Sequence, residues 1–235
     1  MPTKLSPATS NRLLLRLSGN DFALLEPHLR RVDLPLRKKL EIQNRPIEAI
    51  YFPESGFASV VANGSDEHSI EVGLIGREGM TGLPVVMGTD RSTNDTYMQI
   101  AGGGLKIPVA SFRKAVVPGG SLHRHFLLYA HSFVIQTTYT AIANGRSKIE
   151  ERLARWLLMA HDRVGADELA LTHEFLALML GVRRAGVTVA LQLLVKRGVI
   201  QAHRGGVTVL DREALKDLSN GAYGKAEAEF QRLFG

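Results

Sequence analysis

The sequence predicts an α+β protein of three successive parts: an antiparallel β roll, a long helix, and a small helical module closed by a hairpin. Three observations predict it. Residues 32–110 break into short β-prone runs. Residues 121–144 hold one long helical pattern. Leu171 to Leu210 reads as helix, turn, helix and hairpin, with a local excess of positive charge.

The β roll comes first after a helical start. Leu13, Leu14, Leu17, Phe22, Leu24, Leu25 and Leu29 give residues 5–30 a helical pattern, with Asp21 as a cap before Phe22. The runs LEI at 40–42, AIYF at 49–52, FASVV at 57–61, SIEVGLI at 69–75, TYMQI at 96–100 and LKIPV at 105–109 follow. Gly, Pro, Asn and Asp punctuate them, the mark of a sandwich, barrel or jelly roll. Gly102-Gly103-Gly104 lacks a phosphate-loop frame and reads as a turn.

The long helix is predicted over Ser121 to Asn144. Leu122, Phe126, Tyr129, Phe133, Gln136 and Thr140 repeat at 4-3-4-3-4 spacing, the period of a helix–helix seam. Phe126, Tyr129, Phe133, Gln136 and Thr140 are therefore the expected dimer interface. Asn144-Gly145 is expected to end the helix, with Ser147 and Glu150 forming a capping box for the next one over 148–163. A last short helix is expected in 225–235.

The third part carries the functional signal. Thr172 is placed to cap a helix over His173 to Leu180 that stops at Gly181, and a second helix runs from about Arg183 to Arg197 and stops at Gly198. Val187, Ala190, Leu191 and Leu194 share its inward side. At 100° per residue the opposite side carries Ala185, Val189, Gln192 and Lys196, with Arg184 and Thr188 at its flank. Such a surface fits a major groove. Its basic groups hold phosphates, Gln192 can bond a base edge, and Ala185 or Val189 can contact a thymine methyl. Val199 to Leu210 then reads as strand, Gly-Gly turn, strand: a wing, with His203 and Arg204 near its tip to reach phosphate.

Composition agrees and excludes alternatives. The chain has 235 residues, 45% hydrophobic and 22% charged, enough for two globular domains. Its net charge is +6, and residues 170–210 hold five cations against one acid, a net +4. That balance suits nucleic acid. The absence of cysteine excludes disulfides, thiolate metal sites and a cysteine nucleophile. No apolar run approaches a membrane span and no secretory signal is legible, so a cytoplasmic protein with no membrane partner is expected. No G-x-S-x-G, P-loop or H-E-x-x-H motif occurs, and no catalytic residue, metal or cofactor is assigned. His123-Arg124-His125 is the one H-x-H. On a strand it would mark a cupin-type metal enzyme, but it opens a helix, where the two rings diverge by about 200°.

LTHEFLALMLGVRRAGVTVALQLLVKRGVI resembles the DNA-binding signature of the Crp/Fnr family of bacterial transcription regulators, and RGGVTVLD resembles its wing and closing strand. IYFPESGFASVV and GREGMTG resemble turns of that family's N-terminal roll, and 121–144 resembles its dimer helix. The resemblance implies a cyclic-nucleotide-binding-like sensor domain over 1–120, a dimerisation helix and hinge over 121–147, and a winged helix-turn-helix domain over 148–235. It implies a homodimer on a pseudo-palindromic DNA site, with RNA polymerase as a partner if the protein activates. The family's recognition helix commonly carries Arg-Glu-Thr-Val-x-Arg; here the stretch is Arg184-Ala185-Gly186-Val187-Thr188-Val189, so only Arg184 and Val187 match. In cyclic-AMP-binding members a Gly-Glu pair meets ribose and an Arg-Ser pair meets phosphate. Gly82 and Leu83 take the first two places here, and Arg91-Ser92 stands two residues early for the second. A cyclic-nucleotide-gated regulator is the alternative this leaves.

Overall fold

The structure is a computed structural model that describes residues 9–64 and 69–235. Residues 5–8 of the expected first helix lie outside these. Its contacts define two compact units. One holds the described residues up to Val60, Ile75–Phe133 and Phe234; the other holds the described part of Val61–Leu74, and Val134–Leu233.

The first unit begins with two short helices, α1 (Arg12–Leu15) and α2 (Gly19–Leu25). The cap of α2 is Ser18 rather than Asp21: its hydroxyl accepts from the Asp21 N–H at 3.1 Å. Strand β1 (Arg30–Leu34) follows, at the boundary between the expected helix and the β-prone stretch, where the sequence singled out no run. Then come β2 (Lys39–Glu41), β3 (Ala49–Pro53), β4 (Phe57–Asn63), β5 (Ser69–Ile75), a single helical turn α3 (Leu83–Val86), β6 (Asp95–Ile100), β7 (Gly102–Pro108) and α4 (Val109–Ala115). The strands form two sheets, ordered β1-β7-β3 and β2-β6-β4-β5. Leu34, Ala49 and Tyr51 of one sheet and Leu40, Ala58 and Met98 of the other meet in one buried cluster. This is a β jelly roll, in which alternate side chains of two facing sheets make the core.

Gly102-Gly103-Gly104 is not a turn. It opens β7, pairing with Leu34, Asp33 and Val32 of β1, and Gly104 pairs with Pro53 of β3. A Cβ on Gly104 would sit 2.4 Å from the Phe52 carbonyl oxygen, so only glycine lets the central strand lie this close to its neighbour.

Helix α5 (Ser121–Arg146) is 26 residues long, about 39 Å at 1.5 Å per residue. It runs through Asn144-Gly145, which the sequence marked as its end. Asn144 is held there by accepting at Oδ1 from the Arg152 Nε–H at 3.1 Å. The next helix, α6 (Ile149–Val164), is capped one residue later than expected. Lys148 is the cap, and its N–H donates to the Glu151 carboxylate at 2.9 Å. Beyond it lie β8 (Glu168–Leu169), α7 (His173–Leu180), α8 (Arg184–Lys196), β9 (Ile200–His203), β10 (Gly206–Val209), α9 (Arg212–Leu218) and α10 (Lys225–Phe234). Within the second unit α6 packs against α8 and α9 through Leu153, Trp156, Leu157 and Ala160, all buried.

The seam drawn on α5 from spacing lies largely inside the protein. Phe126 is fully buried against Phe52 and Phe112, with ring centroids 6.1 and 5.3 Å away. Tyr129 is buried over Gly79, where a Cβ would be 1.9 Å from its hydroxyl. Gln136 clasps β5: its Oε1 accepts from the Leu74 N–H at 2.7 Å and its Nε2 donates to the Leu74 carbonyl at 3.3 Å. Phe133 and Thr140 are half-buried. The exposed row is the adjacent one: Leu127, His131, Val134, Thr138 and Ala141, with Leu128 and Ile142 beside it.

Candidate nucleic-acid interface

The local sequence builds α7 and α8 as expected. The Thr172 hydroxyl accepts from the Phe175 N–H at 3.2 Å, satisfying one of the unpaired donors of the first turn. Gly181 ends α7 in the left-handed region at φ 60°, which glycine adopts without strain, and Val182 N–H closes back on the Ala177 carbonyl at 3.0 Å. Arg183 caps α8. The chain bends by 106° between α7 and α8, within the range of a helix-turn-helix.

The two sides of α8 separate as the 100° spacing requires. Val187, Ala190, Leu191 and Leu194 are buried. Arg183, Arg184, Ala185, Val189, Gln192, Leu193 and Lys196 are exposed, Val189 by 56%. Thr188 is different. It is half-buried, its hydroxyl donates to the Arg184 carbonyl at 3.1 Å, and His173 Nδ1 stands 3.2 Å from it. No acidic residue lies on α8.

The wing forms, with one correction. Its turn is Arg204-Gly205, Gly205 having φ 86°, and Gly206 is the first residue of β10, paired with His203. The ring of His203 covers Gly206, and its Nε2 lies 3.5 Å from Glu168 of β8. His203 is thus turned back along the sheet β8-β10-β9, while Arg204 stands exposed at the tip. Thr172, Arg183 and Arg184 at the start of the helices, the outer face of α8 and Arg204 all belong to this second unit.

Residues 69–74 of β5 are fastened into the same unit. Trp156 Nε1–H donates to the Glu71 carboxylate at 2.6 Å, Arg163 donates to the Leu74 carbonyl at 3.4 Å, and Ile70 lies against Gly181. Nothing in the sequence marks these partners, which are 85, 89 and 111 positions apart by their numbers.

Two of the four candidate effector residues, Gly82 and Ser92, meet at a group that sequence reading missed. Gly82 and Leu83 are buried at the start of α3, Gly82 at φ 78°, and Ser92 is buried. All but Leu83 converge on Glu41: its carboxylate accepts from the Gly82 N–H at 2.5 Å and from the side chains of Ser92 and Thr96. Burial pushes the Glu41 carboxyl above its ordinary value, and these three hydrogen bonds partly oppose the rise. Arg91 is not among them. It is exposed, donates to the Asn44 carbonyl at 3.1 Å and lies 3.5 Å from Asp90.

His123 and His125 do not share a site. His123 accepts at Nδ1 from the Gly119 N–H at 3.1 Å, with Nε2 3.3 Å from the Val86 carbonyl. His125 Nε2 lies 3.0 Å from the Leu13 carbonyl, and burial lowers its pKa. Among the described residues no group of three or more His, Asp or Glu could hold a metal ion. Among them, too, no single helix is long and apolar enough to cross a membrane.

A helix pair bent at about a right angle, a second helix with a basic outer face, and a hairpin directly after it make a winged helix-turn-helix, an arrangement that DNA-binding proteins use. Comparison with known proteins gives a match to one domain and a shared fold. Residues 151–218 match the model of the Crp-like helix-turn-helix domain. The fold is shared with a Crp/Fnr-family transcriptional regulator of Eubacterium rectale (TM-score 0.68, 18% identity, 87% of this chain and 96% of that one). It is shared also with FixK2 of Bradyrhizobium japonicum (TM-score 0.69, 18% identity, 81% and 96%). A third is the c-di-GMP responsive global regulator CLP of Xanthomonas campestris (TM-score 0.64, 18% identity, 82% and 99%). No curated protein matches by sequence. The helix-turn-helix segment is thus Crp-like, and the chain shares the fold of these regulators.

Proposed function

We propose that the chain works as a homodimer that places α8 of each protomer in the major groove of a pseudo-palindromic site. The observation that carries this reading is the outer face of α8: Ala185, Val189, Gln192, Leu193 and Lys196 are exposed opposite a buried apolar side, Arg183 and Arg184 are exposed at the helix start, and the helix has no acidic residue. Arg183, Arg184, Lys196 and Arg204 serve phosphates, and Thr172 lies at the α7 N-terminus, where backbone N–H groups favour an anion. Ala185, Val189 and Gln192 face the base edges. Thr188 positions Arg184 through its carbonyl, and His203 braces the wing. The role is binding in the cytoplasm rather than catalysis, with RNA polymerase as a further partner if the regulator activates.

The dimer is assigned to the exposed row of α5, where Leu127, Val134 and Ile142 are 37, 55 and 50% exposed. The 4-3-4-3 spacing of Leu127, His131, Val134, Thr138 and Ala141 is that of a two-helix seam. Phe133, Gln136 and Thr140 flank it.

The β roll is read as the sensor domain, with an effector that is not a cyclic nucleotide. Glu41 already accepts the Gly82 N–H and the Ser92 side chain, so a ligand phosphate there would meet a carboxylate rather than free donors.

Selection of bound duplexes from a random pool tests the reading. A two-fold symmetric motif with half-sites about 10 base pairs apart, centre to centre, or a multiple of that, is expected. A pool that never enriches overturns it.

A further inference from the structure

We propose that Ala185 and Val189 read the operator through thymine 5-methyl groups, so that the half-site under the N-terminal half of α8 is told apart by apolar contact. The inference rests on the DNA-binding reading above and names the class of sequence that site takes. In a helix-turn-helix the first residues of the second helix meet the base edges. Here those residues are Arg184 to Val189. Val187 is buried, Gly186 has no side chain, and the Thr188 hydroxyl is already committed to the Arg184 carbonyl and to His173. Arg184 lies 100° round the helix from Ala185, toward the groove wall.

Two side chains remain on the central line of this half, and both are apolar. Val189 is 56% exposed, and Leu193 extends the row one turn further at 43%. Val189 thus stands as an exposed valine at the centre of a basic face. The thymine methyl is the one apolar group that a base pair presents in the major groove. The bases that need polar readers have few here: α8 has no acid to accept from cytosine, and for guanine its central line has no arginine and only Lys196, at the far end of the helix from the half that meets the bases. Gln192 is the single side chain on that line suited to adenine.

The test uses the full chain and its selected duplex, with each thymine replaced in turn by deoxyuridine, which deletes only the methyl. At two positions per half-site affinity should fall about fourfold, the worth of one buried methyl. Val189→Ala should bind the thymine duplex more weakly and lose the response at one of those positions. Because the substitution is made in the DNA, misfolding cannot imitate the result. A duplex bound equally well with uracil at every position overturns this proposal and leaves the DNA-binding reading standing. An absence of any sequence-specific binding overturns both.

Discussion

The indole N–H of Trp156 donates to the carboxylate of Glu71 at 2.6 Å, with both residues buried. The bond joins α6 to β5 within the second unit. Trp156 also packs edge-on against Phe175 of α7, with centroids 5.5 Å apart. Trp156→Phe keeps most of the packing and removes the donor, leaving a buried carboxylate short of one bond. We expect a loss of about 2–3 kcal/mol in chemical unfolding, because hydrogen bonds to charged groups sit at the strong end. Glu71→Gln keeps an acceptor and should lose under about 1 kcal/mol. Equal losses from both would show that the bond carries no weight.

Arg184 is exposed at the first position of α8. Arg184→Ala should leave stability within about 0.5 kcal/mol of the parent, as surface substitutions do. Duplex affinity should drop about tenfold, as expected for a phosphate contact at the N-terminus of the helix that enters the groove. Arg204→Ala should weaken specific and random duplexes alike and lower the slope of log affinity against log salt by about one. Fluorescence anisotropy over a salt series measures both.

Val134 lies on the exposed row of α5 and Phe126 in the roll core, about two helical turns apart along the same helix. Val134→Asp should give a folded monomer by light scattering, its thermal midpoint then independent of protein concentration. Phe126→Ala should instead cost about 3–5 kcal/mol of stability, through a cavity in the core. A Val134→Asp protein that stays dimeric at micromolar concentration would move the interface elsewhere.

Glu41 gives a pH dependence with a definite sign. Its carboxyl is raised in the folded protein by burial, so the folded state holds its proton more tightly than the unfolded chain. The stability it contributes is full below the unfolded value near 4.5 and is lost as pH rises through the folded value. Glu41→Gln removes the titration while keeping an oxygen for the Gly82 N–H. The stability of Glu41→Gln relative to the parent should therefore increase from pH 4.5 upward and then level off. A difference that does not change with pH would mean that Glu41 does not titrate in this range.

The helix-turn-helix was legible because its determinants are local. A capping Thr172, a stop at Gly181 and four apolar residues at i, i+3, i+4 and i+7 act within a few turns. Most strands were legible for the same reason. The α5 seam was not. That helix carries apolar residues on two adjacent rows, and period alone cannot say which row meets the chain's own core. Asn144-Gly145 was read as a break because glycine disfavours helix, and the Arg152 side chain that holds Asn144 is eight residues on. Glu41 left no trace at all. A single Glu in a three-residue strand looks like any surface charge until Gly82, 41 positions away, donates to it. The turn of the wing slipped by one residue because either Gly205 or Gly206 fits the sequence pattern, and only strand pairing chooses between them.

The unit that holds α8 is not one continuous length of chain. It takes residues from Val61–Leu74 as well as everything from Val134 to Leu233. A chimera cut at the end of α5 would therefore graft the reading head without the strand that receives the Trp156 N–H. Exchanging units among relatives of this chain requires moving the strand and the helices together, since the two behave as one part in the spare-parts sense although they lie far apart in the gene.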